Sequence, residues 1–200
     1  MKTARLSLTL LGTLALATTA AAGPPLLCHP YDTGGAKSLP WDGGSGWNKA
    51  QASYDLSHLV ADTLALLGPD VPVIARMETL RRAALYSTKD RAVAQALLDR
   101  LLARSKDGNA LSLFDAGYLA ETDKQAEWLF KLGNPAAGVD GYGLVVRAIS
   151  ARNDPAMEFA AALITSRPGT AVYQAHLEKA RQAAQKDSLL AANLAGHSLR

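Results

Sequence analysis

The strongest constraint in this chain is a change of rhythm at Trp47. From that residue onward apolar side chains recur every three or four positions, the spacing that places them on one face of an α-helix. Trp47, Ala50, Tyr54, Ala61 and Leu64 set the first such stripe, and Gly68-Pro69 stops it. Val73, Met77, Leu80 and Ala84 set the second, behind Asp70 and Pro72, with Glu78 and Arg82 four apart as an exposed pair. Val93, Leu97 and Leu101 follow, after a start at Thr88 or Asp90 and before the breaker Asp107-Gly108-Asn109. Leu111 to Leu132 predicts one long helix, or two meeting near Glu121 to Asp123, closed by Gly133-Asn134-Pro135. Residues 138–143 read as a loop leading into Leu144, Val145, Ala148 and Ile149. Asn153-Asp154-Pro155 puts a capping side chain before a first-turn proline and starts a helix through Met157, Ala160 and Ile164. Two more stripes, at Val172, His176, Ala180 and Ala183 and at Leu189, Leu190 and Leu194, end the chain. No stretch alternates with period two for long enough to make a strand.

The expected fold is therefore all-α, about eight helices paired by short turns as antiparallel hairpins. Two architectures satisfy it: a compact bundle, or a short right-handed helical stack. Residues 23–46 stand apart. Pro24, Pro25, Pro30, Pro40 and the run Asp42-Gly43-Gly44-Ser45-Gly46 forbid a regular helix, so this block reads as an extended Pro/Gly-rich arm lying on the body through Leu39, Trp41 and Trp47.

Residues 1–22 say where the chain goes. Lys2 and Arg5 precede an apolar run over 6–17, and Ala20-Ala21-Ala22 offers small residues for cleavage. This is the pattern of a secretory signal peptide, with the mature chain starting at Gly23 and an exported, periplasmic or extracellular destination. The apolar run is too short for a comfortable membrane span, so no stable span is expected after cleavage. The organisation is a leader over 1–22, an arm over 23–46 and one helical domain over 47–200.

The whole chain of 200 residues carries 21 basic and 18 acidic side chains. Without Lys2 and Arg5 the remaining 178 residues carry 19 against 18. Such a near-neutral balance argues against a nucleic-acid partner, which demands clustered Lys and Arg. Cys28 is the single cysteine, so no intrachain disulfide forms, and a disulfide-linked dimer through it stays open in an oxidising compartment. Leu27 just before Cys28 does not suit a lipid attachment site.

Residues 139–168 resemble a tetratricopeptide-type helical hairpin. Gly143 takes the small first-helix position, and Phe159 and Ala162 take the aromatic and small second-helix positions. Pro155, Val146 and the late Pro168 depart from the pattern. The resemblance implies a protein-binding scaffold and names no ligand.

Three constellations carry chemistry. Tyr118, Trp128 and Tyr142 could line a groove between hairpins as aromatic anchors for a protein or peptide partner; Trp128 and Tyr142 sit beside helix breaks, away from the regular core stripes. Cys28-His29, with Asp32 nearby, could form a thiolate nucleophile or two soft metal ligands, with a further histidine from His58, His176 or His197. A zinc site wants three or four ligands in spaced pairs, and that spacing is absent, so no metal is expected. Glu121, one turn after Tyr118 and near Trp128, is the candidate general acid if the chain hydrolyses cell-wall material, ahead of Glu78 and Glu158. Gly34-Gly35-Ala36-Lys37-Ser38 lacks the Gly before Lys that a phosphate loop needs, and Pro25 stands where haem attachment needs a second Cys. No cofactor is expected. The leading expectation is a non-enzymatic exported scaffold that binds a protein or peptide; a Glu-dependent hydrolase and a thiol or metal site at Cys28 and His29 are the alternatives.

Overall fold

The structure is a computed structural model that describes residues 24–42, 46–131, 133–166 and 170–197. The leader over 1–22 lies outside the described residues. Among those described, the chain forms eight α-helices and no strand. They are α1 (Leu59–Ala65), α2 (Val73–Ser87), α3 (Arg91–Ser105), α4 (Ala110–Gln125), α5 (Gly141–Arg152), α6 (Pro155–Ile164), α7 (Ala171–Ala184) and α8 (Ser188–Gly196). Short 3₁₀ turns cover Leu56–His58 and Glu127–Leu129. No helix among the described residues is long and apolar enough to cross a membrane.

Side-chain caps set most helix starts, each offering an oxygen to amides that the first helical turn cannot satisfy. Asp90 accepts from Ala92 and Val93 N–H, Asn109 from Leu111 and Ser112, Asp154 from Ala156 and Asp187 from Leu190. Asn153 closes α5 in the left-handed region (φ 53°), so α5 and α6 turn back on each other across a single capped junction. Asp140 accepts from Gly143 N–H and starts α5 at Gly141, inside the stretch expected to be loop. α2 begins after Pro72, and Asp70 does not cap it.

α2, α4 and α6 form the interior. Met77, Leu80, Phe114, Leu119, Met157 and Phe159 are buried in one cluster with Leu59, Leu97 and Leu101 from the flanking helices. α4 and α5 approach closest where two glycines face: a Cβ on Gly117 would lie 2.5 Å from Gly141 O, and one on Gly141 would lie 2.6 Å from Gly117 O. Neither position has room for a side chain.

Two expectations are corrected. The stripe at Trp47, Ala50 and Tyr54 is not helical, and the first helix starts only at Leu59 after a turn capped by Asp55. Trp41 and Ala50 form an isolated antiparallel bridge, with Asp42 N–H donating to Lys49 O at 3.0 Å. Gln51 N–H donates to the Tyr86 hydroxyl. These tertiary partners hold the segment in extended form. The second correction concerns Glu78, which is not on the surface. It is fully buried, because residues 24–42 cover the polar side of α2.

That covering is specific. Leu26, Leu27, Tyr31 and Leu39 are buried, and side chains of the helices hold the backbone between them. Leu26 N–H donates to Gln125 Oε1 at 2.9 Å and Tyr31 N–H to Glu78 Oε2 at 3.0 Å. Arg81 Nη1 donates to Leu27 O at 3.1 Å and to Trp47 O at 2.9 Å, and Arg82 donates to Leu39 O. Asn193 of α8 clamps Asp32 from both sides, accepting its N–H at 2.9 Å and donating to its carbonyl at 2.9 Å. A proline-rich segment cannot satisfy its own backbone by forming a helix, so buried side chains do it instead.

Candidate functional site

Where α2 turns into α3, Thr88, Lys89 and Arg91 face the strap that follows α4, Leu129, Phe130 and Lys131, across a cleft of about 530 Å³. Local structure fixes both walls. Thr88 Oγ1 donates to Leu85 O at 2.8 Å, and Asp90 holds the first turn of α3 with its carboxylate. Arg91 Nε donates to Gly133 O at 3.3 Å and ties α3 to the strap. Phe130 is 8% exposed and packs with Leu27, Leu85, Ala94 and Ala126, so the floor is apolar and firmly seated. Lys89, Arg91 and Lys131 are exposed, and none of them pairs with a carboxylate among the described residues. Lys89 Nζ lies 5.7 Å from the Tyr86 ring centre. Glu127, at the start of the strap, does not line the cleft.

Trp128, next in the chain to Leu129, is 63% exposed, and its ring centre lies 6.1 Å from that of Trp47. Large aromatic rings usually bury much of their area, and this one stands open beside the residue that lines the cleft. The other two residues of the expected patch sit elsewhere. Tyr118 is fully buried, stacks on Phe114, and donates from its hydroxyl to the Tyr31 hydroxyl at 2.7 Å. Burial first, and then the Tyr31 hydroxyl, hold Tyr118 well above the ordinary phenol range. Tyr142 is half-buried on α5, with its hydroxyl 2.9 Å from His176 Nε2.

Glu121 is tied into the junction of α4 and α5. Its Oε1 accepts from Lys124 Nζ at 2.8 Å and from Tyr142 N–H at 3.1 Å, in the first turn of α5. A carboxylate there complements the positive end of the helix dipole. Cys28 is half-buried; burial pushes its thiol up, against the pull of Arg81, which disfavours the thiolate that a nucleophile needs. Of the histidines that could join it, only His197 has its ring beside His29, at 5.2 Å between ring centres. His58 lies near Asp55, and His176 is bound to Glu158. No group of three His, Cys, Asp or Glu that could hold a metal occurs among the described residues.

Two polar networks escaped the sequence reading. In the first, Glu78 accepts from Arg81 Nε at 2.8 Å, Arg81 Nη2 at 2.8 Å and Arg82 Nε at 2.6 Å, besides Tyr31 N–H. Burial alone would raise this carboxyl, but the two guanidinium groups and the amide outweigh it and hold it below the usual carboxylate value. In the second, Glu158 of α6 takes His176 Nδ1 on Oε2 and Lys179 Nζ on Oε1 at 2.9 Å, while the opposite nitrogen of His176 meets Tyr142. A carboxylate, an imidazole and a phenol in series can orient a proton. Here the same three groups join α5, α6 and α7. The i, i+3 and i+4 spacing of Glu78, Arg81 and Arg82 was visible in the sequence; the segment that buries it was not.

No protein-family model matches this chain, and no curated protein or solved structure matches it.

Proposed function

We propose that this chain is an exported helical scaffold that works by docking a protein or peptide partner on the face that carries Trp128. The observation that carries the reading is that indole, 63% exposed on a seat made by Trp47 and adjoining an apolar-floored cleft. An aromatic side chain held in place before binding loses little conformational freedom on contact, which is why such residues dominate binding energy at interfaces. The leader-like residues 1–22 support export, and the paired helices α5 and α6, where the tetratricopeptide-like positions Phe159 and Ala162 are buried, support a scaffold.

The experiment compares the exported protein with Trp128→Ala. Chemical crosslinking in intact cells, followed by identification and then purification of the captured partner, gives a binding pair whose affinity can be measured. A loss of about tenfold or more for Trp128→Ala, with an unchanged circular-dichroism spectrum, is expected for a central aromatic contact. Equal affinity overturns the docking face. N-terminal sequencing of the exported chain should start at Gly23; an uncut chain confined to the cytoplasm overturns export.

A further inference from the structure

We propose that the cleft between the α2–α3 turn and the strap after α4 receives an acidic peptide segment that inserts one apolar side chain between its carboxylates. The inference rests on the docking reading above and adds the chemistry of the occupant.

Three observations converge on it. Lys89, Arg91 and Lys131 stand on both walls, and each lacks a carboxylate partner among the described residues. The one acid within the turn, Asp90, directs its carboxylate to Ala92 and Val93 N–H and forms no ion pair with the lysine before it or the arginine after it, so it offsets only part of their charge. Arg76, Arg81, Arg82, Lys124 and Lys179 direct their charge to carboxylates of the fold; among the described residues Lys89, Arg91 and Lys131 do not, and because all three stand around a single cleft they leave a local positive field there. Beneath that field the floor is Leu129 and Phe130, a surface that rewards an apolar group and gives nothing to a bare ion. The volume, about 530 Å³, falls within the range of ligand clefts. A nucleic-acid strand would need a positive stripe longer than three residues, which a near-neutral chain does not supply. Carboxylates on the rim with a buried side chain between them satisfy charge and floor together.

The test uses the full mature chain and tryptophan emission. The probes are the peptide acetyl-Glu-Glu-Leu-Phe-Glu-Glu-amide, the same peptide with every Glu replaced by Gln, and inorganic phosphate. The acidic peptide should bind at least about tenfold more tightly than its Gln counterpart, and the advantage should shrink as salt rises. In the double variant Lys89→Gln, Lys131→Gln the two peptides should bind alike; both side chains are exposed, so the fold is retained, and circular dichroism checks this. Equal binding of the two peptides to the wild-type chain, or no binding of the acidic one, overturns the inference. Phosphate competing as strongly as the acidic peptide also overturns it, since an anion alone would then suffice. None of these failures touches the Trp128→Ala comparison with the captured partner, so the chemistry can fail while the docking face stands.

Discussion

Acidifying the solution should loosen this fold through His197, by an amount the structure sets. The ring closes a buried stack: 4.7 Å from Tyr31 and 5.3 Å from Phe159 between ring centres, with only 5% of the residue exposed. Nδ1 lies 2.7 Å from Asn193 O, a carbonyl, so Nδ1 carries the proton and Nε2 is the bare nitrogen, buried without a hydrogen-bond partner. A second proton would put a charge into that stack. Burial therefore lowers the imidazole from 6.5 to about 4, a shift the Asn193 and His29 carbonyls oppose only in part. In the unfolded chain the group binds its proton near its ordinary value. Between those values the unfolded state holds more protons, so stability falls as pH drops. The full shift corresponds to about 3 kcal/mol, reached once pH lies below the folded value. Asp115 works the other way over part of this window, because burial raises its carboxyl to about 6 in spite of Arg76. The wild-type profile is thus a difference of two effects, and a variant is needed to separate them. His197→Phe keeps a ring between Tyr31 and Phe159 and loses the polar contacts to the Asn193 and His29 backbone, at a cost of about 1 kcal/mol near neutral pH. Urea unfolding followed by circular dichroism, from about pH 7 down to about pH 4.5, should show wild type losing about 2–3 kcal/mol more than the variant. Parallel profiles for the two proteins would refute the reasoning.

The remaining predictions concern packing and the buried charges. Gly117→Ala drives a methyl into Gly141 O across the α4–α5 contact and should cost about 1–3 kcal/mol in chemical denaturation; wild-type stability would mean that the two helices separate freely. Glu78→Gln leaves Arg81 buried without its carboxylate and should cost about 3–5 kcal/mol, with residues 24–42 becoming the first site of limited proteolysis. Cleavage that begins elsewhere at the wild-type rate would detach Glu78 from the holding of that segment.

Where local chemistry decided the outcome, the sequence was readable. Asn153-Asp154-Pro155 reads as a helix start, and Asp154 caps α6 there with Pro155 in its first turn. The apolar stripes at Val93, Leu97 and Leu101 and at Met157, Ala160 and Ile164 lie on helices as their spacing predicts. Where distant residues decided, it was not. Trp47, Ala50 and Tyr54 have helical spacing by coincidence; Ala50 bridges back to Trp41, and Trp47 and Tyr54 pack on Trp128 and Tyr86, distant partners that no short window contains. Of the two readings left open for Leu111 to Leu132, one long helix or two meeting near Glu121 to Asp123, the structure has α4 running unbroken past Glu121 to Gln125, since the break had only polar composition behind it, and then a 3₁₀ turn at Glu127–Leu129. Glu121 could be placed on a helix, but its ties to Lys124 and Tyr142 follow from how α5 docks. Trp128 was legible as a residue beside a helix break; the cations around the neighbouring cleft come from two segments some forty positions apart and become one feature only in the folded chain.

The Asp32–Asn193 clamp joins positions 161 apart in the chain. A polypeptide made from its N-terminus forward cannot close that joint until its last helix exists, and loops of such span are slow to form. The opening segment can settle on α2 and α4 through Glu78, Arg81, Arg82 and Gln125 well before the chain is finished, but it stays unlatched at Asp32 until the final helix arrives.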